Sequence, residues 1–249
     1  MKSQIVGYQI IKLLTVDSTN NYVAKLVNKS KVSFGTVIMA DFQTKGKGQR
    51  DNLWHSDNGK NLLFSIYFDS SFLTTNTIFY LSKIIAISLR NFIFNISGKN
   101  VKIKWPNDII INHQKIAGIL IENQLKNNNI HSSIIGIGLN VNQINFIKNL
   151  SATSLRVLTH REYDLKSLLE IFINVFNSNL STLKEKNFNY IDNQYHQHLL
   201  NFNKWALYKE NNSVFKAKLS SVNEQGFLDL VLENGKTKSY DFQQINQLI

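Results

Sequence analysis

A chain of 249 residues with 43% hydrophobic content is long enough to bury a substantial core and too apolar to stay disordered. Its net charge of +11 favours acidic partners such as nucleotides, nucleic acid or an acidic protein, although the basic residues are scattered with no block of five. Cysteine is absent, which excludes disulfides, thiolate nucleophiles and cysteine-based zinc sites and suits a reducing cytoplasm.

The start, "MKSQIVGYQIIKLL", lacks the small-residue cleavage site of a leader and reads as mature sequence. With no run of about 18 apolar residues, no membrane span is expected. After this opening strand-like run, "VDSTNNYVAKLVNKSK" starts a helix: Asp17 or Ser18 can cap it, and Tyr22, Val23, Leu26 and Val27 recur at helical spacing. "FGTVIMADFQ" (34–43) and "NLLFSIYF" (61–68) predict buried strands around the polar loop "TKGKGQRDNLWHSDNGK". Residues 76–95 predict a long apolar helix packed inside. "VKIK" (101–104), "IIIN" (109–112) and "KIAGILIEN" (115–123) predict strands, the first two separated by the single proline, Pro106, and the last two by a turn at His113-Gln114. "HSSIIGIGLNVN" (131–142) is a further strand. Helical periodicity returns from Asp164 to about Lys186 and again over 188–200. Beyond Asn203 the texture changes to short alternating runs, "WALYKE", "VFKAKLSSV", "GFLDLVLE" and "TKSYDFQQI", with Asn234-Gly235 as a hairpin turn. These predict a small all-β domain of about 45 residues joined near residue 200.

In the polar loop, Gly46 and Gly48 can turn backbone N–H groups toward an anion, with charge from Lys45, Lys47 and Arg50. The same residues suit a solvated basic loop, and no Gly-Lys-Ser/Thr follows to make a Walker loop. "GIGLNV" (136–141) is no dinucleotide fingerprint, because Val141 stands at the third glycine position and a strand continues where a helix should begin. Pro106 fixes its own φ and biases Trp105 toward an extended conformation. Lys104-Trp105-Pro106-Asn107-Asp108 therefore forms a stiff corner that presents Asn107 and Asp108 at a strand entrance. That pair can read a nucleobase edge or a ribose, or help hold a cation; a structural turn with a packed tryptophan fits equally well. Even alternation faces Lys115, Ala117 and Ile119 one way and Ile116, Gly118 and Leu120 the other. A lysine heading an apolar strand is unusual unless its ammonium meets an anion. Gly118 in mid-strand suggests that something approaches its backbone closely. His196 and His198, two apart in a helical stretch, fall on different faces, which argues against a metal pair. No Gly-x-Ser-x-Gly elbow offers a nucleophile for acyl-enzyme chemistry.

In their order and spacing, "DSTN" (17–20), "QTKGKGQRDNLW" (43–54), "KWPND" (104–108), "KIAGILIE" (115–122) and "GIGLNVN" (136–142) resemble the biotin–protein ligases. The resemblance spans roughly residues 8–145, and the tail resembles that family's small C-terminal domain. It implies an α+β fold: a class II synthetase-like catalytic domain of mixed β-sheet and helices over residues 1–200, then an SH3-like β-barrel over 201–249. Many members carry an N-terminal DNA-binding winged helix. Here "DSTN" begins at Asp17, so a ligase-only form without DNA binding is expected. The implied reaction has two steps. The carboxylate of biotin attacks the α-phosphorus of ATP, giving biotinyl-5′-adenylate and pyrophosphate. A lysine of a biotin carboxyl carrier domain then takes the biotinyl group and releases AMP. Both nucleophiles come from substrates, which is consistent with a chain that shows none of its own.

By motif, the resemblance gives Lys115 the catalytic place at the junction of carboxylate and α-phosphate. It gives Ser18, Thr19, Asn20, Gln43, Gly46, Lys47, Gly48 and Gly118 to biotin. It gives Gln49, Arg50, Trp54, Asn107, Asp108, Lys115 and Asn140 to the nucleotide, with Mg²⁺ reaching Asp108 through ATP. The loop Gly46–Arg50 would close over the adenylate, and Trp54 would pack on it. The family's loop often reads G-R-G-R-R-G. Lys47 lacks the planar fork of arginine, and Gln49 and Asp51 lower the positive charge, so weaker adenylate retention is expected. Carrier domains tend to be acidic, which suits a basic enzyme. Neither DNA nor a membrane is an expected partner, and a homodimer through edge strands is within the family's range. A lipoate–protein ligase running the same adenylate chemistry is the nearest alternative, and a basic nucleic-acid-binding protein the alternative from another class.

Overall fold

The computed structural model describes residues 5–50, 52–147 and 150–248. Asp51, one of the residues invoked for the charge of the loop, lies outside them. The β-branched and aromatic runs fall where strands form. β1 (Ile10–Val16), β2 (Val37–Gln43), β3 (Leu62–Asp69), β4 (Val101–Lys104), β5 (Asp108–Ile111), β6 (Gln114–Lys126) and β7 (Asn129–Leu139) build one seven-stranded sheet in the order β1-β2-β3-β7-β6-β5-β4. β1 and β2 run parallel, which requires a crossover, and α1 (Thr19–Asn28) supplies it. Every other neighbouring pair is antiparallel. Two tight hairpins turn on Asn112-His113 and Asn127-Asn128, both residues of each pair at positive φ as a type I′ turn requires. The turn expected at His113-Gln114 thus sits one residue earlier, because Gln114 already pairs with Ile111.

Helices α2 (Phe79–Ser97), α3 (Leu155–Thr159), α4 (Leu165–Lys184) and α5 (Phe188–His198) complete this part. Leu62, Phe64, Ile66 and Phe68 of β3 point into the core under α2 and α4, where Phe172 lies 5.4 Å from Phe64 and Phe176 lies 6.2 Å from Phe68. α2 is long and apolar enough to cross a membrane by length and composition, although Lys83, Arg90 and two asparagines interrupt its apolar run. Eleven of its 19 residues are buried, however, in its packing against the sheet, α4 and α5, as an all-round apolar helix in a large core should be. α1 lies on the other face, over β2, β3 and β7, with Val23 packed among Ile38, Tyr67 and Ile134.

The C-terminal strands β8 (Trp205–Glu210), β9 (Ser213–Val222), β10 (Leu228–Leu232), β11 (Thr237–Tyr240) and β12 (Ile245–Gln247) form a second, antiparallel sheet in the order β11-β10-β9-β8-β12. Asn234-Gly235 turns β10 into β11, with Gly235 at φ +80°. No pairing joins β11 to β12 among the described residues. Tyr208, Leu219, Leu230, Tyr240 and Ile245 belong to the same apolar cluster as α2 and α4, so the two sheets share one core. Lys83 of α2 bridges them. Its side chain is fully buried, and Nζ donates to Asp192 Oδ1 at 2.6 Å and to the carbonyls of Val222 and Asn223 at 2.8 and 3.1 Å.

Candidate active site

A run of missing side chains makes the floor of the site. Ser65, Gly136 and Leu120 stand side by side across β3, β7 and β6, and Leu63, Gly138, Gly118 and Asp108 across β3, β7, β6 and β5. Cross-strand partners share a face, so the three glycines leave a flat groove on the same face as α1, beyond the part that helix covers. A Cβ on Gly138 would lie 2.5 Å from the Trp54 ring, and one on Gly136 would overlap the Asn20 amide. A Cβ on Gly118 would meet Trp54 at 3.1 Å and the Lys115 side chain at 3.2 Å.

At one end of the groove lies a dense polar group. Ser18, Thr19 and Asn20 are all buried, because the start of α1 is pressed against the sheet. Thr19 donates its backbone N–H to Gln43 Oε1 at 2.8 Å, and its hydroxyl lies 3.0 Å from the same oxygen. Ser65 Oγ lies 2.7 Å from Thr19 Oγ1 and donates to Asn20 Oδ1 at 2.6 Å, while Asn20 Nδ2 donates to Glu122 Oε2 at 2.7 Å. Ser18 is the N-cap residue, yet its hydroxyl makes no bond to the helix and lines the cavity instead. Fixed donors and acceptors in a buried corner are what a small polar ring requires.

The loop after β2 folds back on itself. Gly48 N–H donates to the Asn52 carbonyl at 2.7 Å and Trp54 N–H to the Gly46 carbonyl at 2.9 Å. A Cβ on Gly46 would lie 2.5 Å from the Trp54 carbonyl, so glycine is needed for this close approach. Lys47 Nζ pairs with Glu122 Oε1 at 3.1 Å. Arg50 reaches the second sheet, with Nη1 3.4 Å from Asn246 Oδ1 and its guanidinium 5.6 Å from the Phe242 ring centre.

At the other end, Lys115 Nζ lies 2.6 Å from Asp108 Oδ1, close enough for an ion pair although outside hydrogen-bonding alignment. The same ammonium is 5.5 Å from the Trp54 ring centre. Lys115 and Gly118 share a face, which simple alternation does not allow. The cause is a β-bulge: Ile109 pairs with Ala117 but Ile110 with Lys115, so Ile116 has no partner on β5. Backbone bonds to 151–153 stabilise the bulge, Lys115 N–H donating to Ser151 O at 2.8 Å and Thr153 N–H to Lys115 O at 3.0 Å. Trp105, Pro106 and Asn107 form the turn between β4 and β5, with the Trp105-Pro106 peptide cis. Trp105 is buried and donates its indole N–H to Gly226 O at 2.9 Å. Asn107 Nδ2 donates to Ile119 O at 2.8 Å, and the residue lines the cavity.

Together these residues line one cavity of about 230 Å³, to whose wall Phe242 of the turn after β11 and Ile245, Asn246 and Gln247 of β12 also contribute. The structure brings Ser18, Thr19, Asn20, Gln43, Lys47, Gly48, Gln49, Arg50, Trp54, Asn107, Asp108, Lys115 and Gly118 to its wall. Gly46 and Asn140 are not among the lining residues. Gly46 sits beneath Trp54, and Asn140 is buried with Nδ2 donating to Thr153 O at 3.0 Å, holding the segment that pins the bulge. Sequence reasoning gave no site role to Ser65, Lys104, Glu122, Gly136, Gly138 or the C-terminal wall, although all but Ser65 and that wall lie inside the quoted motifs. A lone serine inside an apolar strand and the Gly-x-Gly of β7 were the available signals.

The fold and cavity define an acyl-activating ligase of mixed α+β architecture, and residues 13–140 match the model of the Biotin/lipoate A/B protein ligase family. The chain belongs to that family. It is 29% identical over 244 residues to the bifunctional ligase/repressor BirA of Bacillus spizizenii, covering 96% of this chain and 74% of that protein. It is 31% identical over 138 residues to BirA of Escherichia coli, covering 55% of this chain and 42% of that one. Among solved structures, the biotin protein ligase of Aquifex aeolicus in complex with biotin and ATP superposes with a TM-score of 0.82 at 26% identity, over 97% of this chain and 99% of that one.

Proposed function

We propose that this chain is a biotin–protein ligase that activates biotin with ATP and transfers it to a lysine of a biotin carboxyl carrier domain. The observation that carries this reading is the joining, in one groove, of a buried polar corner to a lysine–carboxylate pair. In the first step a biotin carboxylate oxygen bonds to the α-phosphorus, and the bond to the bridging oxygen of pyrophosphate breaks. In the second, the carrier ε-amine bonds to the acyl carbon, AMP leaves with its phosphate oxygen, and one proton is released. Thr19, Asn20, Gln43 and Ser65 hold the ureido ring. Lys115 lies where the charges of carboxylate and α-phosphate meet and lowers the barrier by preorganised charge. Trp54 and the loop from Gly46 to Arg50 cover the adenylate and keep water from its anhydride bond. Asn107 and Asp108 border the nucleotide.

Asp108 is the one carboxylate that lines the cavity among the described residues, which contain no cluster of three acidic or histidine side chains suited to a metal. Mg²⁺ would fit here as a companion of ATP, with Asp108 as the side chain that would help hold it. So bound, the ion would neutralise charge on the triphosphate. We read residues 1–200 as the catalytic domain and 201–249 as an SH3-like appendage, supported by the change in strand texture and by the separate five-stranded sheet. The basic chain suits an acidic carrier.

The test is pyrophosphate release from Mg·ATP with biotin, lipoate or octanoate offered separately and no carrier present. A burst of about one equivalent with biotin alone is expected, since a retained adenylate stops turnover. A burst with lipoate alone would move the chain to the lipoate branch of the family.

A further inference from the structure

We infer that Lys104 binds the pyrophosphate end of ATP, the part that departs as the adenylate forms; this rests on the ligase reading above. Direction comes first. Asn20 sits over Gly136 of β7, Lys115 over Gly118 of β6, Asp108 on β5 and Lys104 at the end of β4, the edge strand. Neighbouring strands are about 4.8 Å apart, so these groups form a row across the sheet. Displacement at phosphorus places the leaving oxygen in line with and opposite to the attacking one. With the ring of biotin at Asn20 and its carboxylate at Lys115, pyrophosphate must depart along the row toward β5 and β4. Lys104 stands there, directly opposite Asp108 in the β4–β5 pair.

The state of the cations points the same way. Lys115 is paired with Asp108, Lys47 with Glu122, and Arg50 with Asn246. Lys104 lines the same cavity, half-buried, and among the described residues it has neither an ion-pair nor a hydrogen-bond partner. Burial holds its pKa below the ordinary lysine value; Asp108 opposes the shift and Lys115 adds to it. An ammonium kept partly out of water without an acceptor is unfavourable until an anion arrives. Trp105, fixed on Gly226, keeps the end of β4 from moving to relieve it. When the bond from the α-phosphorus to the bridging oxygen breaks, the electron pair stays on pyrophosphate, and Lys104 meets that charge without giving up a proton.

The experiment is steady-state pyrophosphate release by the full chain, with a biotin carboxyl carrier domain in excess to discharge the adenylate and with biotin and Mg·ATP varied in turn. Lys104→Met is expected to raise the KM for Mg·ATP about 10- to 100-fold, the loss of one charged hydrogen bond, with the KM for biotin unchanged. Lys104→Arg should recover part of the loss, and competition by inorganic pyrophosphate should weaken in Lys104→Met. Lys104→Gln carries the same comparison if the methionine variant does not fold. A KM for Mg·ATP equal to that of the parent, or an equal rise in the KM for biotin, overturns the assignment while leaving the ligase reading intact. A parent chain that makes no biotinyl-5′-adenylate overturns both.

Discussion

Trp105 donates its indole N–H to the carbonyl of Gly226, 2.9 Å away, and this bond crosses the seam between the two sheets. Gly226 has φ +92° and lies against Phe79 of α2, so its carbonyl is fixed from behind. Trp105→Phe keeps the buried ring but leaves that carbonyl without its partner. A loss of about 1–3 kcal/mol is expected, which in a chain of this size lowers Tm by roughly 2–12 °C. A thermal melt unchanged from the parent would show that water replaces the indole.

Lys115→Ala should slow adenylation by about 100-fold or more through loss of preorganised charge. Stability should hardly move, because Lys115 is 37% exposed and such pairs contribute about 1 kcal/mol or less. Single-turnover pyrophosphate release and a thermal melt on the same preparation separate the two effects.

The glycine floor allows a graded comparison. At Gly138 a methyl group would lie 2.5, 2.8 and 2.9 Å from three atoms of the rigid Trp54 ring, so the ring must lift. At Gly118 the neighbours are at 3.1 and 3.2 Å, and one of them is the flexible end of Lys115. Gly138→Ala should therefore impair adenylation more than Gly118→Ala, by up to about 100-fold for a displacement near 1 Å. Tryptophan emission should shift in the first variant and much less in the second. Equal effects would mean that Trp54 does not rest on this floor.

Lys83 and Asp192 predict an asymmetry set by exposure. The Lys83 side chain is fully buried, whereas that of Asp192 is 27% exposed. Asp192→Ala strands a buried ammonium that keeps only two carbonyls and flanking rings, and should destabilise by about 3 kcal/mol, the lower end for a broken buried pair. Lys83→Met leaves a carboxylate that water can reach and should destabilise less. Urea denaturation of both variants gives the order, and the reverse order would refute this account of the joint.

His198 should make stability depend on pH. Burial first, then Arg90 and Lys102, push its pKa from 6.5 down to about 4. The folded state thus disfavours the proton that the unfolded chain accepts, so the contribution is complete above pH 6.5 and is lost as pH falls toward 4. His196 is lowered in the same direction, by burial first and then by Lys83. His198→Asn should accordingly reduce, without abolishing, the fall in the urea midpoint between pH 7 and about 4.5.

Most elements were legible because they rest on local pattern. The apolar run of β3, the Asn-Gly of the last hairpin and the period of α4 each follow from a few neighbouring residues. The placement of Lys115 was not legible. Its face depends on a bulge pinned by residues 151–153, some 36 positions later, and no local alternation reports that. Ser65 escaped for a related reason: one hydroxyl in an apolar strand looks incidental until β3, β7 and α1 bring Thr19, Asn20 and Gly136 around it. Lys104, Trp105, Asn107 and Asp108 were visible as a motif, but only the partner of the indole shows why a tryptophan stands there.

Two acids already occupy two of the lysines in this groove, Asp108 on Lys115 and Glu122 on Lys47. On the proposed function, arrival of the substrates is therefore an ion exchange at these two residues: the incoming carboxylate and phosphate displace resident ones, and Lys47 and Lys115, unlike Lys104, never face the cavity bare. The net electrostatic gain is a small difference between similar pairs, so it gives little affinity by itself. Geometry has to decide instead, since only a ligand that spans the polar corner and both lysines at once can displace both acids.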